Sequence, residues 1–492
     1  MEIYPDFEQF KNLSKKVNVV PFYIEFVADF ETPVSSFLKV AKGSYNFLLE
    51  SAEQEEKVGR YSFIGTYPEI IIKGKNEKVE IMDYTKEKVE KLEKKGSLKI
   101  LEIFLNKYKT VKIKSLPSFT SGFVGFVSYD YVRNIERLPD ISKDDLFLPD
   151  FIFFFPRKLI IFDHFKRKLF LIMNVFVDKE KSLKEIYNKG KEGLLSFINE
   201  FLKPLKPVER KYENNQENFI SNFKKKEFVN SVEKVKKYIY EGDIIQAVIS
   251  QRWEKELDVE PFKIYRGLRS LNPSPYMFYL ELGELKLIGS SPEILVKLEG
   301  KIATVRPIAG TRPKGRDEKE EKKFEQQLLN DEKEKAEHIM LVDLARNDLG
   351  RVCYPGTVEV TELMKIEKYS HVMHLVSNVK GKLMKNKTAI DLFCSTFPAG
   401  TVTGAPKIRA MEIIEEIEKV KRGPYAGAVG YFSLDKSMDF CITIRTFIVK
   451  DKKIYIQAGA GIVADSVPKN EYKETKNKAK ALIEAYKLSK RI

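Results

Sequence analysis

Two acids spaced three apart, Glu334 and Glu337, head the segment "EKAEHIMLVDLARND", in which Ile339, Met340, Leu341 and Leu344 recur at helical spacing. Residues at i and i+3 share a helix face, so these carboxylates sit side by side and repel. The pattern returns near the end of the chain, where Glu471 and Glu474 follow the loop "DSVPKN". Two readings account for such pairs. Acids near a helix N-terminus are stabilised by the helix dipole. Alternatively, two E-x-x-E helices facing each other offer four carboxylates to one hard cation. Mg²⁺ suits that set, because it prefers oxygen ligands and keeps positions open for water or a substrate anion.

Other residues carry chemistry of the same kind. Glu293 in "GSSPE" stands just past a strand and a tight turn. "IQAGAGI" holds Gly459, Ala460 and Gly461, small residues that let backbone N–H groups approach an anion. Tyr425 in "GPYAGAVG" and Arg445 in "CITIRTF" can orient a carboxylate, the arginine bidentately. Each of these taken singly is more often a structural residue; together they outline a pocket for a small dicarboxylic acid. "HVMH" sets His371 and His374 three apart, but a zinc pair needs a third ligand and none is close in sequence.

The elements that must position these groups follow from periodicity. Residues from about 20 to 200 are rich in Phe, Ile and Val with Gly turns, and "FIFFFPRKLIIFDHFKRKLFLIMNVFV" reads as successive strands with a hairpin at "HFKR". "SLKEIYNKGKEGLLSFINEFLK" is a helix, and "KPLKPVERKYENNQENFISN" a polar connector. Two regions result, 15–205 and 223–488. In the second, "KKEFVNSVEKVKKYIYEGD" puts Phe228, Val232, Val235 and Ile239 on one helix face and stops at Gly242. "GAPKIRAMEIIEEIEKVKRG" is amphipathic through Ile408, Met411, Ile414 and Ile417. "IIQAVISQRW", "YMFYLEL", "KLIGSS", "AGAVGYFSL", "DFCITIRTFIV" and "KIYIQAGAGIV" are strands, and "NEYKETKNKAKALIEAYKLSK" is the last helix.

Composition excludes several classes. At 492 residues the chain is long for a single core, and 43% hydrophobic residues is an ordinary globular content. No apolar run approaches the roughly 20 residues a membrane span needs. The acidic start "MEIYPDFEQF" has no apolar signal segment, so a cytoplasmic location is expected. Cys353, Cys394 and Cys441 are far apart, which argues for reduced thiols. The net charge of +15 raises nucleic acid as a partner, yet no reader motif accompanies it. The basic residues instead alternate with acids in "KGRDEKEEKKFEQQLLNDEKEKAE" and "EKVEKLEKKG", the pattern of solvated, ion-paired helices. Neither nucleic acid nor membrane is an expected partner.

The blocks "PIAGTRPKGR", "EHIMLVDLARNDLGRV", "YSHVMHLVSNVKG", "FPAGTVTGAPKIRAMEII", "GPYAGAVGYF", "IRTFIV" and "QAGAGIVADSVPKNEYKETKNKA" resemble the signatures of the chorismate-utilising enzymes, in the same order over roughly residues 225 to 485. "FLLES", "GRYSFIG" and "GFVGFVSYD" are similar to the amino-terminal region of that family, and the closest resemblance is to anthranilate synthase component I. The resemblance implies an α+β fold, a large layered sandwich with two extensive, mainly antiparallel sheets. It implies a Mg²⁺ among Glu334, Glu337, Glu471 and Glu474 that binds the ring carboxylate of chorismate. It implies Glu293 as general acid toward the C4 hydroxyl and His374 as base or orienter. Tyr425, Arg445, Gly459, Ala460, Gly461 and Lys478 are then expected to hold carboxylates, with Thr311 and Thr401 bonding near the ring and His371 structural.

Two positions separate members of the family. Isochorismate- and salicylate-forming relatives carry a lysine where this chain has Gln246, and aminodeoxychorismate synthases carry one where it has Ala309. An amide is no general base at neutral pH, and alanine has no nucleophile. Both departures imply ammonia attack and anthranilate as product, with aminodeoxychorismate synthase component I the nearest alternative. A non-catalytic binding protein on this fold would be expected to have lost one of the acids or His374. No cysteine sits in a glutaminase setting, so glutamine use implies a separate amidotransferase subunit, anthranilate synthase component II, in a hetero-oligomer. "LLES", with Glu50 and Ser51, and "NPSPYM", with Asn272, Pro275, Tyr276 and Met277, match the family's L-tryptophan feedback site, with Tyr431 and Cys441 as its wall. Without the resemblance, "NPSPYM" is a proline turn feeding a strand.

Overall fold

Two long strands, Tyr61–Lys75 and Phe151–Asp163, pair antiparallel from Tyr61↔Asp163 to Gly74↔Phe151 and form the spine of the molecule. The structure, a computed structural model, describes residues 2–51, 59–85, 90–95, 97–205, 218–368 and 372–492. Both spine strands exceed the usual length of about six residues, so their two ends serve different stretches of one continuous sheet. The register shifts between Pro68 and Ile70. Proline cannot donate to a ladder, and a bulge there bends the strand between the two stretches of the sheet.

At one end the sheet runs from the spine through Tyr45–Glu50, Tyr276–Leu282, Leu285–Ser291, Thr446–Lys450 and Lys453–Ile462 to Gln246–Glu256. Lys168–Phe176 and Val19–Val27 extend it on the far side. At the other end it runs through Gly122–Val127, Ala428–Ser433, Met438–Ile442, Ile294–Glu299 and Ile302–Val305 to Val372–Lys382. Ile308–Pro313 and Glu359–Lys368 also pair with that last strand. All these pairings are antiparallel, and with the packed helices they make the expected α+β layered fold. Strands from both sequence halves interleave: Tyr45–Glu50 pairs with Tyr276–Leu282, and Gly122–Val127 with Ala428–Ser433. Large aromatic rings fill the core, Phe393 lying 4.9 Å and Phe432 4.7 Å from Phe440.

Most expected elements form. The hairpin at "HFKR" closes with Asp163↔Lys168, and helices occupy Leu183–Phe201, Lys225–Tyr240 and Pro468–Ser489. Much of the expected connector lies outside the described residues, as does His371. Three expectations differ. "DFCITIRTFIV" is two strands, Met438–Ile442 and Thr446–Lys450, broken by Arg445 at φ 49°. On the Lys407–Ile417 helix Met411 and Ile414 are buried as expected, but Ile408 is 40% exposed and Ile413 is buried beside them. Glu90–Lys95, expected in an ion-paired helix, is a strand pairing only with Lys78–Asp83 among the described residues. Alternating charge suits an edge strand, where lysines discourage further pairing. Among the described residues no helix is long and apolar enough to cross a membrane.

Candidate active site

The helix Glu332–Gly350 starts where the Asp331 side chain accepts the Glu334 N–H at 3.1 Å. It packs on the strands Ile308–Pro313 and Val372–Lys382, while Pro468–Ser489 packs on Lys453–Ile462. This arrangement brings the two E-x-x-E pairs toward each other. Burial pushes the Glu337 carboxyl above the usual range, and the charges of Glu334, Glu471 and Glu474 push it the same way. Burial likewise raises Glu471, against a hydrogen bond from Ser466 and with repulsion from Glu474. Partial compensation comes from Arg312, 3.3 Å from Glu334, and from Lys478, 2.8 Å from Glu474. Among the described residues, no group of three or more acidic, histidine or cysteine side chains is placed to hold a metal ion.

Beside these acids lies the glycine-bearing strand. Ser250, Ile249 and Val248 pair with Gly459, Ala460 and Gly461. A Cβ at Gly459 would lie 2.7 Å from the Tyr425 hydroxyl, and one at Gly461 would lie 2.5 Å from the Gln246 amide nitrogen. The small residues are therefore required by close approach. The Gly459 N–H donates to the buried Tyr425 oxygen, and Lys478 Nζ donates to the Gly459 carbonyl at 2.9 Å. Arg445, at the break between its strands, is solvent-accessible, and its carbonyl accepts the Ser290 N–H at 3.2 Å. Surrounding protein lowers its pKa, and its charge faces Glu293.

Glu293 accepts a hydrogen bond from Thr401 Oγ1 at 2.8 Å. Burial raises its pKa, against that bond and the charges of Arg445 and Lys478, which favours the protonated form. His374 Nδ1 lies 3.0 Å from the Gly310 carbonyl oxygen. A carbonyl only accepts, so Nδ1 carries the proton and Nε2 is the basic nitrogen of the neutral ring. Burial lowers the His374 pKa, which keeps that ring neutral at neutral pH. Thr311 stands opposite His374 in register across adjacent strands, and Ala309 opposite Leu375.

The matched model of the chorismate binding enzymes covers residues 44–484. The chain belongs to that family. Anthranilate synthase component 1 of Acetivibrio thermocellus is 45% identical over 488 residues, 98% of each chain. The protein of the same name from Aquifex aeolicus is 47% identical over 497 aligned positions, 99% of each. The crystal structure of anthranilate synthase component I from Streptococcus pneumoniae superposes with a TM-score of 0.73 at 37% identity, over 93% of this chain and 98% of that one. The isochorismate synthase MenF of Escherichia coli shares the fold, with a TM-score of 0.71 at 21% identity over 97% and 98%.

In this chorismate-utilising enzyme a second cluster lies apart from the acids. Glu50 faces Met277 across paired strands and is held by the Tyr265 hydroxyl and by Arg269 at 3.1 Å. Tyr276 donates to Asp439 at 3.0 Å, and Asp439 pairs with Tyr431, whose ring stacks 4.3 Å from Phe119. Cys441 is buried opposite Ile294, the neighbour of Glu293. Asn272 caps the helix Pro261–Leu271, Pro275 leads into the strand at Tyr276, and Ser51 follows Glu50. The structure thus gathers the residues singled out from "LLES" and "NPSPYM". Sequence reasoning missed the Gly310 carbonyl, a backbone atom that leaves no signal in a side-chain pattern, and Ser466.

Proposed function

We propose that this enzyme is the large subunit of an anthranilate synthase, forming anthranilate and pyruvate from chorismate and ammonia in tryptophan biosynthesis. The observation that carries this choice is Gln246, whose amide lies against Gly461 in the cleft. An amide cannot deprotonate water, whereas ammonia is nucleophilic already and needs no base. Ala309 excludes a covalent ring adduct at its position, and the relatives' names agree with the assignment.

Glu293, whose carboxyl is held above its ordinary range by the surrounding protein, gives its proton to the C4 hydroxyl, which leaves as water while ammonia adds at C2 and the ring double bonds shift. His374 Nε2 then takes the C2 proton as the C3–O bond breaks and the ring becomes aromatic; the departing enolpyruvate takes up that proton at its methylene carbon to become pyruvate, and the proton shed by the added ammonium restores Glu293. Arg445, Tyr425, Lys478 and the backbone at Gly459–Gly461 hold the substrate carboxylates. The mutually repelling acids Glu334, Glu337, Glu471 and Glu474 fit a hard divalent cation. Mg²⁺ there would neutralise the ring carboxylate and stabilise charge drawn onto it.

Ammonia derived from glutamine comes, in this reading, from a separate component II subunit in a cytoplasmic hetero-oligomer. L-Tryptophan binds at Glu50, Ser51, Asn272, Pro275, Tyr276 and Met277, beside Tyr431 and Cys441, and shifts the active population by its differential affinity for two states. The test is fluorescence of anthranilate on mixing the protein with chorismate, ammonium chloride and Mg²⁺. Accumulation of isochorismate or aminodeoxychorismate instead would overturn the assignment.

A further inference from the structure

The strand Gln246–Glu256 and the turn Gly400–Val402 come from distant parts of the chain and meet behind the candidate active site. Each carries or backs a group that the reaction needs. Thr401, in the turn, donates to Glu293 at 2.8 Å. Val248, in the strand, is paired with Gly461, and its Cγ1 lies 2.9 Å from where a Cβ on Gly459 would be. Backbone contact between the two elements runs from Gly404, opposite Ala247, to the Val248 N–H, which donates to the Thr403 carbonyl at 2.8 Å.

One side chain carries that contact on to Val402, next to Thr401. Arg422 is only 2% exposed, and it donates from Nη1 to the Val402 carbonyl and from Nη2 to the Val248 carbonyl, both at 2.7 Å. Its Nε and Nη2 also donate to the two carboxylate oxygens of Glu418, at 2.9 and 2.7 Å. Glu418 in turn accepts from the Ser250 N–H and hydroxyl, each at 2.8 Å, and Ser250 is paired with Gly459. The guanidinium lies 5.6 Å from the centre of the Tyr425 ring, whose hydroxyl meets the Gly459 backbone. A planar guanidinium holds its donors in a fixed fork, which the ammonium of a lysine does not reproduce. A buried ion pair adds little net stability over apolar groups of the same volume. What this pair supplies is geometry.

We propose that Arg422 is a positioning residue for the reaction: it clamps the turn bearing Thr401 to the strand behind Gly459 and Gly461, and so fixes the proton donor Glu293 relative to the groups that hold the substrate carboxylates. Arg422 acts through these partners and does not itself reach the substrate. The roles of Glu293 and the glycines are those of the anthranilate synthase reading, on which this rests.

The test is chorismate consumption at saturating ammonium and Mg²⁺, with chorismate varied and the products separated by chromatography. Arg422→Lys keeps the charge beside Glu418 but cannot hold both carbonyls. Its kcat should fall and its KM for chorismate rise, lowering kcat/KM about a hundredfold, as for a displacement of about 1 Å at a reacting group. Glu418→Gln/Arg422→Met removes both charges and leaves Ser250 an acceptor. It should show the same double loss, and it decides the matter if the melting curve shows that Arg422→Lys does not fold. Thr401→Val gives the second readout. Its cost should be about threefold smaller, or less still, in the Arg422→Lys background than in the wild type, because the hydroxyl is already displaced, whereas the effects of independent sites add. Folded variants with kcat and KM within about twofold of wild type, or costs of Thr401→Val and Arg422→Lys that simply multiply, would leave Arg422 a support of the fold alone and overturn the inference. A wild type that makes a product other than anthranilate overturns the anthranilate synthase reading, and the same comparison of chorismate consumption still decides the clamp.

Discussion

Thr401→Val removes the one hydroxyl that holds the Glu293 carboxylate, and the consequence for proton donation has a definite sign. Thr401 donates to Glu293 at 2.8 Å and so favours the ionised form, opposing the burial that raises the pKa. Hydrogen bonds to charged groups contribute about 1.5–3 kcal/mol. The low end applies here, because the protonated acid keeps part of the interaction. About 1.4 kcal/mol is a factor of ten, so at fixed alkaline pH the ratio of protonated to ionised Glu293 should rise about tenfold. The assay is kcat/KM for chorismate against pH, read from anthranilate fluorescence. The plateau should fall, because Thr401 lines the cleft, but the alkaline limb should move to higher pH. The acid limb belongs to His374, which titrates below its ordinary 6.5, and should stay where it is. An alkaline limb that is unmoved, or shifted toward acid, would refute the general-acid role of Glu293.

Mg²⁺ should raise the melting temperature, and more at about pH 8 than at about pH 5. The raised carboxyls of Glu337 and Glu471 leave the metal-free fold most stable below the ordinary 4.5 and weaken it as pH climbs through their folded values, whereas the ion restores about 2.7 kcal/mol at a hundredfold excess over Kd. Glu337→Gln removes one repelling charge, so it should melt no lower without metal yet lose most of the Mg²⁺ response; identical melting curves with and without Mg²⁺ in the wild type would sink the metal site. Gly459→Ala drives a Cβ to 2.7 Å from Tyr425 Oη and 2.9 Å from Val248, overpacking that should lower stability by about 1–3 kcal/mol and raise KM for chorismate. A variant with wild-type melting and KM would show that the strand does not pack against substrate-holding groups. Ser51→Phe and Met277→Thr should relieve inhibition by L-tryptophan, and calorimetry giving unchanged tryptophan affinity in both would remove that site.

Local patterns in the sequence determined a great deal about this protein. A doubled E-x-x-E spacing placed two carboxylates on each of two helix faces, and a run of small residues marked the strand that must tolerate close approach at Gly459 and Gly461. These features depend on residues within one or two turns of each other, where side-chain direction follows from backbone period alone. What periodicity could not settle was how side chains distant in sequence meet. On Lys407–Ile417 the neighbours bury Met411 and Ile414 as the period implied, but they also cover Ile413 and leave Ile408 in solvent. The charged run at Glu90–Lys95 became a strand because Lys78–Asp83 offered an edge to pair with. The proton of His374 is assigned by a carbonyl from another strand, at Gly310. Only the packed tertiary structure decided that Glu337 and Glu471 repel each other and that Arg445 breaks its strand beside Glu293. Each of these states is set by burial and by partners remote in the chain, and those come from strand pairing that no local window contains.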